Sequence, residues 1–442
     1  MPSAAQRRKI QNEIFIKNAV RGRVLPPDAG DVANDTGKDR VNIYPVEKQE
    51  ILGFGGAFTE SSAYTYAQLD AAGKAAAMER LFGKSGLRYN FCRICIGSSD
   101  FSLDQYDYLA PGATNLESFS IERDRRYVIP MIHDAQAAAK AAGEEIVFFA
   151  SPWSPPAFMK DTGSRVKGGR LLPEYREMYA EYFVKFIKAY AAEGIPVSAV
   201  TPQNETLAPS PWDSCLVSAE EEAALIRALS AAFAAHGLEV KILAWDHNKG
   251  RLYHRMEEIY REVPDLVAGA AFHWYSGQHF EELALMRERY PGKLLIASEF
   301  CNGLGRKIFD TYGAELMGNL THGVQAECEW NLMLGAAGEP YHDRAFGCSA
   351  PIHSDGKNLT LRRSYFEMYL FSHFVRRGAR ALATSSFCEG LNAAAFRNPD
   401  GRLVVVVRNA TGKTIPYNLS VFNRLYPVSV TPDTMVTYEI EE

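Results

Sequence analysis

Glu205 and Glu299 each close an apolar stretch of the chain, VTPQNE at Val200–Glu205 and KLLIASE at Lys293–Glu299. An ionised carboxylate at the tip of an apolar run is expensive to desolvate, so it needs a reason to be there. A structural ion pair would account for either residue alone. As a pair they suit the hydrolysis of glycosides. One group must give a proton to the leaving oxygen, and the other must attack or stabilise the anomeric carbon. In retaining enzymes the two carboxyl groups lie about 5–5.5 Å apart. The proton donor needs a nearby anion to hold its proton near neutral pH, and the nucleophile needs a cation or donors to stay ionised. Arg93, in YNFCRIC, supplies that cation if its side chain points inward; turned outward it would face helices. Asn204, beside Glu205, is placed to hydrogen-bond a sugar 2-hydroxyl.

Further groups follow other apolar runs. Trp153 lies in SPWSPPAF, His273, Trp274 and Tyr275 end AGAAFHWY, Trp330 and Asn331 end ECEWN, and Asp100, Phe101 and Asp104 follow YNFCRICI. A sugar presents apolar C–H faces and a rim of hydroxyls, so its site needs flat aromatic platforms and polar hydrogen-bonders. The clustering at run ends is the informative part, because one aromatic alone is ordinary core material.

The elements that must position these groups can be read in turn. Eight apolar runs fall at Gly53–Phe58, Tyr89–Ile96, Ile146–Ser151, Val197–Gln203, Lys241–Trp245, Ala268–Trp274, Lys293–Ser298 and Glu327–Leu332. Between most of them lie helical patterns. Tyr175–Ala192 repeats apolar residues at helical spacing, and Ser218–His236 opens with a capping box, Ser218 with Glu221, and stops at Gly237. Strands buried on both faces and alternating with helices predict an α/β fold, a (β/α)8 TIM barrel over residues 50–380, with its reactive groups at the C-terminal strand ends. The segment 381–442 reads differently, as strands separated by NPDG and TPDT turns without a helix. With the strand-like EIFIKNAV and VNIYPVEK near the N-terminus, it predicts a side β-sandwich built from residues 1–49 plus 381–442.

Other chemistries are poorly supported. Across 442 residues the 48 basic and 53 acidic side chains leave a net charge of −5, with no basic surplus for nucleic acid. The N-terminal stretch has no apolar core of a signal peptide, and no membrane span is visible, so a cytoplasmic location is expected. Seven cysteines show no disulfide framework. Cys92 and Cys95 form a C-x-x-C, but three apart on a strand they face opposite sides, so buried free thiols are expected rather than a metal or redox pair. Trp245-Asp246-His247-Asn248 has the residue types of metal ligands but no second cluster with ligand spacing, and GFGGAF lacks the Lys-Ser/Thr of a phosphate loop. No metal and no cofactor are expected.

Seven motifs in order, GFGGAFTESSA, YNFCRICIGSSDFS, ASPWSPPAFMK, VTPQNE, AFHWY, IASEF and EWNL, resemble the landmarks of the acid glucosylceramidase family, glycoside hydrolase family thirty. The resemblance implies a retaining β-glycosidase on a (β/α)8 barrel with a β-sandwich beside it. It implies Glu205 as general acid/base and Glu299 as nucleophile. Asp100, Trp153, Asn204 and Trp330 then take glycone-binding positions, and Arg93, His273 and Tyr275 surround the nucleophile. The chain departs from the family pattern at Thr206, at Phe300-Cys301 and at Trp245–Asn248, on the leaving-group side. The expected activity is exo-hydrolysis of terminal β-D-glucosyl groups from small soluble β-glycosides, with Asp100 holding the 4- and 6-hydroxyls. A β-xyloside, a β-fucoside or a β-quinovoside is the alternative glycone. An endo-acting β-glycanase is the alternative mode, with loops after Cys215 and around Arg344–Lys357 long enough to wall the site. A non-catalytic glycan-binding barrel fits less well, because both carboxylates are present.

Overall fold

The computed structural model describes residues 23–25, 30, 31, 39–303, 311–342, 348–422 and 424–440. Eight parallel strands close into a barrel. They are β1 Gly53–Phe58, β2 Phe91–Ile96, β3 Val147–Pro152, β4 Val197–Val200, β5 Lys241–Asn248, β6 Gly269–His273, β7 Leu294–Glu299 and β8 Ala326–Asn331. β8 pairs back onto β1, Ala326 opposite Gly53. Each of the eight apolar runs thus becomes one barrel strand. The strands are apolar throughout because both faces are covered. On β2, Cys92, Ile94 and Ile96 pack outward among the helices, while Phe91 joins Phe149, Ala199, Leu243, Ala271, Ile296, Ala326 and Cys328 in a plug that fills the barrel. Cys95 belongs to a separate cluster at the mouth, so the C-x-x-C thiols do face different sides. The glycines of β1 serve close packing: a Cβ on Gly55 would sit 1.8 Å from the Phe91 carbonyl oxygen.

The helix Ala219–Ala235 carries the complete capping box of Ser218 and Glu221, and Gly237 follows it in a left-handed conformation. The helix expected over Tyr175–Ala192 spans Arg176–Ala192. A feature absent from the sequence reading is a small three-stranded sheet, Met333–Gly335, Ile352–Ser354 and Leu359–Leu361, inserted after β8. Among the described residues no helix is long and apolar enough to cross a membrane.

The second layer is a nine-stranded sheet. Arg40–Glu50 lies within it, antiparallel to Arg380–Ser386 and parallel to Ile415–Val421, so an N-terminal strand does join the C-terminal ones. The EIFIKNAV segment lies outside the described residues. Leu403–Asn409 explains the run of valines in its sequence. Val404 and Val406 pack into the barrel's core, whereas Leu403, Val405 and Val407 pack into the sandwich's own.

Candidate active site

The nine candidate residues meet at the C-terminal mouth of the barrel, and Arg93 is their hub. It points inward and is fully buried. Its Nη1 donates to Glu299 Oε2 at 2.7 Å, and its Nη2 donates to Asn204 Oδ1 at 2.8 Å and to Asp246 Oδ2 at 2.6 Å. Its guanidinium also lies 4.7 Å from the ring centroid of Trp153, which stacks on Trp330 with centroids 5.0 Å apart. One cation therefore links the ends of β2, β5 and β7, the turn after β4, and the aromatic platform.

Glu299 ends β7 and accepts a second hydrogen bond, from the Tyr275 hydroxyl at 2.9 Å. His273 sits at the end of β6 among three carboxylates. Its Nδ1 lies 3.2 Å from Glu205 Oε1 and 3.8 Å from Glu299 Oε1, and its Nε2 lies 3.1 Å from Asp246 Oδ1. Burial opposes charge on the ring, but Glu299, Asp246 and Glu205 outweigh it and hold its pKa up at about 10. His273 is thus an imidazolium that donates from both nitrogens. One ligand-type atom each of Glu205, His273 and Glu299 lie within 4.8 Å of one another. Two carboxylates and an imidazole have the types to hold a divalent cation, but a doubly protonated ring has no lone pair to offer. The donor set fits proton chemistry better than metal binding.

Burial pushes both catalytic candidates toward the neutral acid. At Glu205 the His273 imidazolium outweighs it and holds the carboxyl below its ordinary range. At Glu299 burial prevails, with the Glu205 charge adding to it, over the pull of His273 and Arg93. Groups this close titrate as a pair, so charge on one drives the proton onto the other. Asp100, just past β2, is pushed well above the carboxylate range by burial and by the charges of Glu299 and Glu205.

The sequence reading missed Asp246, which set aside WDHN along with metal binding. This carboxylate is fully buried and accepts from Arg93, from Ser151 Oγ at 2.8 Å, from Thr201 Oγ1 at 2.6 Å and from Ser298 Oγ at 2.6 Å. Burial works against its charge, but Arg93 and His273 outweigh burial and hold it well below the ordinary range. It lies just past the fifth apolar run, where its inward turn depends on a slip of register between Trp245 and His247. The backbone here is unusual. Trp245, Asp246 and Glu205 have φ of +80°, +46° and +49°, left-handed values that non-glycine residues adopt at a cost. Two contacts hold this geometry. The Glu205 N–H donates to the Asp246 carbonyl at 2.9 Å, and the Trp245 N–H donates to Glu222 Oε1 at 2.7 Å. Glu222 is itself fixed by two hydrogen bonds from Arg255, at 3.1 and 2.7 Å. His247, also missed, lies 3.9 Å from Glu205, and burial lowers its pKa to about 4, so it is a neutral ring at neutral pH.

Loops wall the platform. Lys160 donates to the Ser214 carbonyl at 2.6 Å and Arg165 pairs with Asp213 at 2.8 Å, which clamps the loop after β3 to the loop after β4. This sets Trp212, with Tyr341 from the loop after β8, against the Trp153–Trp330 cluster. The walling residue on the first loop precedes Cys215 rather than following it. In the second wall, part of the expected Arg344–Lys357 stretch, residues 344–347, lies outside the described residues.

Comparison with known proteins agrees with the barrel and its companion sheet. Residues 51–376 match the model of the glycosyl hydrolase family 30 TIM-barrel domain, and residues 378–438 match that family's beta sandwich domain. The chain is similar to the lysosomal acid glucosylceramidase of Mus musculus, 31% identical over 435 residues, covering 90% of this chain and 83% of that one. Its fold is similar to the crystal structure of SrfJ from Salmonella typhimurium, with a TM-score of 0.86, 30% identity, and coverage of 93% and 94%. It is also similar to the endo-beta1,6-glucanase BT3312, with a TM-score of 0.80, 30% identity, and coverage of 90% and 92%.

Proposed function

Since the chain belongs to glycosyl hydrolase family 30 and is a glycoside hydrolase, we propose that it removes terminal β-D-glucosyl groups from small β-glycosides by double displacement. The observation that carries this reading is the approach of the Glu205 and Glu299 carboxylates to within 4.8 Å, a spacing that leaves no room for a water between nucleophile and sugar and suits the ~5–5.5 Å of retaining enzymes. Glu299 is the nucleophile. Arg93 at 2.7 Å and the Tyr275 hydroxyl at 2.9 Å favour its charge. In the empty site burial draws the pair's proton toward Glu299 while His273 favours charge on Glu205; the reaction uses the other arrangement of the same pair, with the proton on Glu205, which gives it to the glycosidic oxygen as the bond breaks. With Asp246 and Glu299 ionised and Arg93 and His273 cationic, a protonated Glu205 leaves these five clustered groups neutral together. Glu299 then carries the sugar as an ester, and the anion that held the Glu205 proton is gone. Glu205 is now a base and takes a proton from the water that hydrolyses the ester. The Asn204 amide nitrogen faces the sugar 2-hydroxyl while its carbonyl oxygen is occupied by Arg93 at 2.8 Å. Trp153 and Trp330 cover the apolar face, and Asp100, whose carboxyl is pushed up by burial and by the charges of Glu299 and Glu205, takes the 4- and 6-hydroxyls.

Proton NMR of early hydrolysis is expected to give the β-anomer first, and Glu299→Gly to lose turnover and recover part of it with azide. An α-anomer released first would sink the double displacement. Endo-action on a β1,6-linked glucan is the second reading, supported by the likeness to BT3312. Product lengths from an oligosaccharide digest separate the two modes. A rate survey over glucosyl, xylosyl, fucosyl and quinovosyl aryl glycosides fixes the glycone. The expected cytoplasmic location remains part of this proposal, tested by cell fractionation.

A further inference from the structure

Two thiols lie beside the proposed nucleophile and take no part in the hydrolysis. Cys301 follows Glu299 by two residues and is partly exposed at the mouth, whereas Cys348, after the three-stranded insert begins, is buried. The segments that carry them run side by side. Gly303 and Cys348 form an antiparallel bridge, and the Ser349 N–H donates to the Asn302 carbonyl at 2.8 Å. Both thiols pack in the cluster at the mouth that holds Trp153 and Trp330.

The direction of the hydrogen bonds can be worked out. A carboxylate only accepts, so the single hydroxyl proton of Tyr275 goes to Glu299 Oε1. The Tyr275 oxygen lies 3.4 Å from Cys301 Sγ and therefore accepts from that thiol. Cys348 Sγ donates to the Ser349 carbonyl at 3.8 Å and accepts from Asn331 Nδ2 at 4.0 Å. Its Cys301 neighbour, together with burial, holds the Cys348 proton well above the ordinary thiol range. The chain runs Cys301 to Tyr275 to Glu299, with the Cys348 thiol beside its outer end.

We propose that Cys301 and Cys348 are an oxidisable dithiol whose closure into a disulfide switches the hydrolase off reversibly. The more exposed Cys301 reacts first. Its sulfur attacks one oxygen of hydrogen peroxide, the O–O bond breaks, and sulfenic acid and water form. The Cys348 sulfur then attacks the Cys301 sulfur, the S–O bond breaks, and hydroxide leaves with the thiol proton as a second water. Two thiols and one peroxide give one disulfide and two waters. The sulfur pair loses two electrons and the peroxide gains them. Closure removes the S–H that donates to Tyr275 and draws in the backbone two residues beyond Glu299. Displacement of a reacting group by about 1 Å costs about 100-fold in rate. Only this effect on turnover rests on reading Glu299 as the nucleophile; the disulfide itself does not.

The test treats the intact protein with graded hydrogen peroxide and follows two readouts. Peptide mapping without reduction is expected to find Cys301 joined to Cys348. Turnover of an aryl β-glycoside is expected to fall about 100-fold in step with that linkage and to return with dithiothreitol. Cys348→Ser is expected to keep the reduced enzyme's activity, to form no linkage, and to leave Cys301 as a sulfenic acid that dimedone traps. The proposal is overturned if mapping finds no Cys301–Cys348 linkage at peroxide levels that inactivate. It is equally overturned if the linkage forms while turnover is unchanged, or if Cys348→Ser is inactivated and rescued like the parent. Failure of azide rescue in Glu299→Gly would count against the catalytic assignment and leave the mapping result standing.

Discussion

Asp246 touches no substrate atom in the proposed reaction, yet it holds both cations that flank the two reacting carboxylates. It faces Arg93 and His273 at once. Because His273 is raised to about 10, its charged form persists through neutral pH and is lost as pH rises through that value. The stability that this charge contributes is complete below the unfolded imidazole's value of about 6.5 and disappears as the pH climbs toward the folded one. Asp246→Asn removes one of the anions that hold the proton. The alkaline limb of kcat/KM is expected to move to lower pH, with kcat/KM down about 100-fold at neutral pH through misplaced Arg93 and His273. A pH–rate profile of the variant checks both. An unmoved alkaline limb would show that Glu299 and Glu205 alone hold the imidazolium.

The strands were legible because a strand covered on both faces is a continuous apolar run, and Glu205 and Glu299 were legible because they end such runs. Asp246 was not, and β5 shows why. Along that strand Ile242 and Ala244 face the helices and Leu243 fills the barrel, so simple alternation turns Trp245 inward and Asp246 outward. The strand does the reverse. Its register slips between Trp245 and His247, Trp245 packs among the helices, and Asp246 swings into the mouth. A bulge built from two left-handed non-glycine residues leaves no mark in the residue pattern. A second slip lies between Ala297 and Glu299 on β7. The β5 bulge depends on the buried Glu222–Arg255 pair. Glu222→Ala leaves Arg255 without its partner and is expected to cost about 3–5 kcal/mol of stability, read as a lower chemical-denaturation midpoint. Turnover should fall further than the loss of folded protein explains, because the Trp245 N–H loses its acceptor. Glu222→Gln, which keeps an acceptor, should recover part of the turnover.

The barrel and the sandwich share side chains rather than a surface. Val404, Val406, Phe396 and Met435 belong to the barrel's core although their strands belong to the sandwich. Thr437 Oγ1 donates to the Leu370 carbonyl at 2.8 Å, and Gln49 Nε2 donates to the Leu320 carbonyl at 2.6 Å and the Val324 carbonyl at 3.0 Å. Scanning calorimetry is therefore expected to give one cooperative transition. Val406→Asp, which buries an unpaired charge between the layers, should lower that single transition rather than split it. Two resolved transitions in the parent would contradict the shared core.

The valine strand also sets an order of events during synthesis. Ribosomes release a chain from its N-terminus, and domains generally fold as they emerge. Here the last strand of the barrel is complete at Asn331, but the side chains that seal the outer helices arrive only with residues 396–435. The emerging barrel must wait, partly unsealed, until residues 396–435 have left the ribosome, and that interval is when it most needs a chaperone.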